Sequence, residues 1–223
     1  MKLGFRSAAF FITMLFGAIT SLTGCATTGM DRATKTTDSM HAVEADYKQT
    51  AIQIDATRVA FETLINPAQT DMKKGYERFA ENVKKMEKLG DQLETHTKKM
   101  NTNGDKYFAE WESSYTNPEI REISEQRRIE MRKGYTKIAV ASVGVKGALK
   151  SYLTDIKEIQ KYISNDLTAQ GIETIKPIAQ RATIDGENLK ETVKPVLNAI
   201  DLVKAEMVQG GPISGSASDS NKK

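Results

Sequence analysis

The feature that most constrains this chain is a spacing. Apolar residues recur at alternating intervals of three and four, as in Met40, Val43, Tyr47, Ile54, Phe61 and Leu64, and the phase holds for tens of residues at a time. That interval puts one narrow stripe on one side of a helix, which demands a partner helix and leaves the other sides to water. A second run extends from Met72 through Phe79, Val83, Met86 and Leu93 to Tyr107 and Trp111. A third, in phase throughout, goes from Met131 to Ile163. A fourth goes from Ile172 to Met207.

The interruptions have helix-ending chemistry. Asn66-Pro67 closes the first run, because the residue before proline is pushed out of helical geometry. Asn117-Pro118 closes the second and opens the third, with Pro at a favourable first-turn position. Ser164-Asn165-Asp166 is expected to form the third turn and cap the fourth helix with side-chain oxygens. Pro177 and Pro195 fall inside the fourth run and are expected to kink it. The apolar phase passes straight through Asn103-Gly104-Asp105, so that stretch reads as a weak spot within a helix. Short turns between long helices favour antiparallel neighbours. The fold expected is all-α, an elongated antiparallel four-helix bundle or coiled coil, on the order of 60 Å long at about 1.5 Å per residue.

Ahead of the helices stands an export signal. Basic Lys2 and Arg6 precede an apolar run from Ala8 to Gly17, too short for a comfortable membrane span, and small residues follow. The only cysteine of the chain, Cys25, directly follows Leu22-Thr23-Gly24. This resembles the bacterial lipoprotein signal, which implies cleavage between Gly24 and Cys25 and acylation of the Cys25 thiol. Several acyl chains hold a protein firmly at a membrane where one holds it marginally. By analogy with lipoprotein sorting, Ala26 in place of Asp favours the periplasmic face of the outer membrane. The expected divisions are a signal peptide over 1–24, a lipidated linker over 25–30, a bundle over 31–208 and a disordered tail over 209–223.

The remaining composition argues mostly by exclusion. With 32 Lys+Arg against 29 Asp+Glu, and two of the bases in the signal, the chain lacks the basic excess of a nucleic-acid-binding domain. His41 and His96 stand far apart and read as solvated surface residues, so no metal centre, nucleophilic triad or cofactor is expected. Gly144-Val145-Lys146-Gly147-Ala148-Leu149-Lys150-Ser151 superficially resembles a phosphate loop but lacks the Gly-Lys-Ser/Thr core and lies within a helical period, so no nucleotide is expected. Gly144 and Gly147 are expected to permit close helix packing, or else to cost about 1 kcal/mol each relative to Ala.

The densest group of candidate contact residues flanks the second turn. Tyr107, Phe108, Trp111 and Tyr115 precede it, and Arg121, Arg127, Arg128, Arg132 and Lys133 follow it. Folded back, these segments bring rings and guanidinium groups to one tip of the rod, as a packed hairpin with Arg stacked on rings and paired to Glu119, Glu122, Glu125 and Glu130, or as a surface for a partner.

The segments Tyr107-Phe108-Ala109-Glu110-Trp111-Glu112, Asn117-Pro118-Glu119-Ile120-Arg121, Ser124-Glu125-Gln126-Arg127-Arg128, Arg132-Lys133-Gly134-Tyr135 and Asn165-Asp166-Leu167-Thr168-Ala169 resemble domain of unknown function 2959. This is a family of bacterial helical coiled-coil proteins, often lipoproteins. The resemblance spans about Val43 to Met207; it implies a helical fold and an envelope setting, and no activity. The expected role is that of a non-enzymatic, membrane-anchored scaffold or adaptor with a protein partner or self-association through its helices. The alternative is a binding module for a lipid or anionic envelope ligand, held at the tip or in a groove left by Gly90, Gly104, Ala179, Ala182 and Gly186.

Overall fold

A computed structural model describes residues 29–66, 71–111 and 114–209. Among these residues there are four helices and no strand: α1 (Gly29–Leu64), α2 (Met72–Ala109), α3 (Pro118–Asn165) and α4 (Ala169–Gln209). Each packs on two neighbours, α1 on α2 and α4, and α3 on α2 and α4. The architecture is an antiparallel four-helix bundle. α1, with 36 residues, and α3, with 48, span about 54 and 72 Å.

The seams follow the spacing. All ten apolar-phase positions of α3, from Met131 to Ile163, are buried, and so are the α1 positions from Met40 to Leu64. In α4 the pattern holds from Ile172 to Val203. Phe61 and Phe79 pack edge to face, 5.5 Å between centroids, near the end where α1 closes and α2 opens.

α1 departs from the pattern, because it buries a second, polar set: Thr36, Ser39, Glu44, Asp46 and Gln53 are all less than a tenth exposed. A buried polar group is costly unless bonded, and most of these bonds run to α2. Gln53 Nε2 donates to Asn82 Oδ1 (2.8 Å) and to the Asn82 carbonyl (3.2 Å). Asp46 accepts from Gln92 Nε2 (2.7 Å) and pairs with His96 Nδ1 (2.6 Å). Asn103 Nδ2 donates to the Lys35 carbonyl (3.3 Å). His96 is therefore not the free surface residue expected; its ring partners a carboxylate that α1 carries into the interface.

The caps show one more difference. Asn117 Oδ1 accepts from Glu119 N at 2.8 Å with Pro118 opening α3, as anticipated. At the third turn, however, Thr168 does the capping. Its hydroxyl oxygen accepts from Gly171 N (3.0 Å) while its proton goes to Asp166 Oδ1 (2.7 Å). A Cβ on Gly171 would lie 2.4 Å from the Asp166 carbonyl oxygen, so the turn needs glycine there.

α4 is helical through Pro177 and Pro195. Both prolines are exposed, so water can reach the carbonyls of Glu173 and Glu191 that lose their helical donors. α1 begins at Gly29, two residues before the expected bundle start. α4 ends at Gln209; the tail beyond it lies outside the described residues, as does Pro67.

Helix α2 is unbroken through Asn103-Gly104, and Gly104 is there for a ring. A Cβ would lie 2.3 Å from Tyr135 Cζ and 2.5 Å from its hydroxyl, which donates to the Met100 carbonyl at 2.5 Å. Gly144 and Gly147, in contrast, face open space with no atom within 4 Å, so they serve no packing within the bundle. Gly104→Ala is expected to destabilise the bundle by about 1–3 kcal/mol through displacement of Tyr135. Gly144→Ala is expected to stabilise it by up to about 1 kcal/mol. Urea denaturation of dilute protein, followed by circular dichroism, checks both signs.

Candidate functional site at the end where the chain enters

The up-down-up-down path gathers the start of α1, the end of α2, the start of α3 and the end of α4 at one end of the rod. There Thr37 Oγ1 donates to Met207 Sδ (3.7 Å), and Arg32 Nε lies 3.9 Å from Glu110. The last turns of α2 deliver the aromatic residues. Trp111, Tyr107, Phe108 and Tyr135 of α3 form a chain of edge-to-face contacts, with successive centroids 5.5, 5.2 and 5.8 Å apart. This is the geometry that aromatic quadrupoles favour. Burial pushes the Tyr107 and Tyr135 phenols up from their ordinary range.

The arginines are distributed rather than pooled. Arg132 Cζ sits 4.9 Å from the centre of the Phe108 ring, the one stacked guanidinium of the expected group. Arg127 turns inward, and its Nη2 donates to the Glu206 carbonyl of α4 at 2.9 Å. Arg128 pairs with Glu125 one turn earlier, 2.7 Å away. Arg121 and Lys133 are exposed, and Tyr115 is half-buried. Trp111 Nε1 donates to Ser124 Oγ at 2.9 Å, so the indole is tied to α3 by a hydroxyl rather than by a guanidinium. Gly24 and Cys25 lie outside the described residues.

Two glutamates near this end behave oppositely. Glu44 of α1 accepts from Lys48 on its own helix and from Lys204 of α4, and these bonds hold its carboxyl down from 4.5 to about 2. Glu206 of α4 is 6% exposed, and burial pushes its carboxyl up, against the pull of Arg127. Sequence reasoning missed both, because each lies one position off the apolar phase.

The Asp46–His96 pair borders a groove of about 260 Å³ lined by Lys35, Asp38, Ser39, Ala42, Lys99 and Asn103. Carboxylate, imidazole and hydroxyl are parts of a nucleophilic relay, yet Ser39 Oγ donates to the Thr36 carbonyl at 2.7 Å. Its proton is committed to the backbone, so the three side chains form no relay. Beneath Ala179 and Ala182, where a ligand groove was one expectation, the space is a cavity of about 20 Å³ that also touches Phe61, Phe79 and Tyr152. That is room for about one water. Among the described residues no group of three or more His, Cys, Asp or Glu is placed to hold a metal ion, and no helix is long and apolar enough to cross a membrane.

Fold and interior together define a four-helix-bundle protein with a narrow, closely packed seam. The chain belongs to the family described as "Protein of unknown function (DUF2959)", whose model matches residues 25–205. No curated protein and no solved structure matches it.

The lowered Glu44 carboxyl fixes a pH dependence. Its stabilising contribution is complete above about 4.5, the unfolded value, and is lost as pH falls through about 2. Glu44→Gln is expected to be less stable than the native chain by about 1–2 kcal/mol near neutrality. Thermal melts at descending pH should show that gap closing between about 4.5 and about 2.

Proposed function

We propose that this protein is a lipoprotein of the bacterial envelope, held through acylated Cys25 at the periplasmic face of the outer membrane. Its bundle acts there as a non-enzymatic scaffold or adaptor. The observation that carries this reading is the placement of Cys25. It is the only cysteine, follows Leu22-Thr23-Gly24, and stands four residues before Gly29, the first of the described residues of α1. The family match supports the reading in one respect, since it begins at Cys25 and leaves residues 1–24 outside.

A four-residue connection spans at most about 14 Å, so an anchor at Cys25 holds the Trp111 end of the rod close to the bilayer surface and directs the far end away. The small interior weighs against the alternative of an apolar ligand stored between the helices. What is left to interact is the outside of the rod.

Cys25→Ser is the direct test. The native chain is expected to sediment with bilayers and resist a high-salt wash, and the variant to appear in the soluble fraction. A variant that stays with the bilayer after the wash overturns the anchoring and, with it, the envelope role.

A further inference from the structure

α3 turns its seam toward α2 and α4, and its opposite side meets no other helix among the described residues. On that outward side Ile129, Val140 and Val143 are 50%, 69% and 72% exposed. Gly144 and Gly147 lie among them with open space above. Thr136, Ser151 and Thr154 share the same face by helical spacing and are exposed. From Thr136 to Thr154 this makes a strip about 27 Å long, with Lys150 only at its margin. The threonine hydroxyls donate to carbonyls of their own helix, those of Arg132 and Lys150, and so need no partner elsewhere.

The charges beyond the two ends of the strip have a symmetry. Lys133 lies before it and Glu158 after it, each about 19 Å along the axis from the midpoint between Gly144 and Gly147. Lys137 and Asp155 lie closer in, about 13 and 14 Å from the same midpoint. None of these four makes an ion pair among the described residues, whereas Lys146 and Lys157 of the same helix reach Glu94 and Glu87 of α2.

We propose that this outward face of α3 docks a second copy of the chain, antiparallel, about a two-fold axis passing between Gly144 and Gly147. An isologous contact sets each residue against its mirror position. Lys133 then faces Glu158 of the other copy, Val140 faces Ser151, and Gly144 faces Gly147, where the absent side chains let the helices approach. Half-exposed Ile129 meets Tyr162. A parallel arrangement would set Lys133 against Lys133 and Glu158 against Glu158, a repulsive pairing at both ends.

The test uses the full chain carrying Cys25→Ser, so that its outcome is independent of anchoring. One preparation adds Lys133→Cys and another adds Glu158→Cys. Mild oxidation of the mixture is expected to give a disulfide-linked dimer containing one of each, and little linked product from either alone. A Lys133→Cys chain that links chiefly to itself overturns the antiparallel arrangement; a mixture that yields no linked dimer overturns the proposal.

In sedimentation velocity, Lys133→Glu is expected to weaken association at least about tenfold, and adding Glu158→Lys to restore it. Val143→Lys, at a position the bundle leaves exposed, should abolish the dimer with an unchanged circular dichroism spectrum. Association that persists in Val143→Lys overturns the proposal.

Discussion

The bundle depends on the bonding of the polar side chains that α1 carries inside. A purely apolar seam tolerates sliding by a heptad, because one leucine or valine packs nearly as well as the next. Asp46, Gln53 and the Lys35 carbonyl do not tolerate it. Each meets a specific partner, Asp46 the donors on His96 and Gln92, Gln53 the acceptors of Asn82, and the Lys35 carbonyl the Asn103 amide, and a slip of one turn would strip those partners away. An unpaired buried polar group costs on the order of 1–3 kcal/mol, so several together penalise every other register heavily. The α1–α2 hairpin thus sets the level at which α3 and α4 can complete the square.

The outline of the fold was legible in the sequence because the signal was redundant. Ten positions of α3 agree on one phase, and no single residue could spoil it. The break at Asn66 and the start of α3 at Pro118 were legible because each sets Asn directly before proline, a pairing that Pro177 and Pro195 inside α4 lack. α2, however, ends at Ala109, short of the Asn117 expected to close it. Gly104 was readable as a position within a helix but not as the seat of the Tyr135 ring, because the two residues meet only after α2 and α3 have folded together. Thr168 was passed over for the three polar residues before it; which oxygen reaches Gly171 depends on the turn's backbone, and composition does not specify that.

The candidate site was legible only as a neighbourhood. Rings and arginines do share one end, yet their pairing follows geometry that spacing does not encode. Phe108 lies one position off the stripe and is nonetheless 4% exposed, with Arg132 over its face. Asp46 and His96 were invisible for a stronger reason: each alone looks like an ordinary charged or polar surface position, and only the close approach of α1 and α2 makes them a pair. Gly144 and Gly147 were read as packing residues from their type. They pack against nothing in their own bundle, which makes the face around them informative.

Anchoring and pairing constrain each other. An antiparallel pair about a two-fold axis crossing α3 places the two α1 starts at opposite ends of a double rod. Under the anchoring proposed for Cys25, both copies of such a pair cannot insert their acyl chains in one leaflet, because the anchors lie about a rod length apart and point away from each other. Copies side by side on a single surface are therefore held parallel, the arrangement in which Lys133 opposes Lys133 and the contact is repelled. Copies standing on two facing surfaces meet in the orientation that pairs Lys133 with Glu158. Under the two proposals together, the outward face of α3 discourages lateral clustering on one surface and pairs only copies whose anchors point apart.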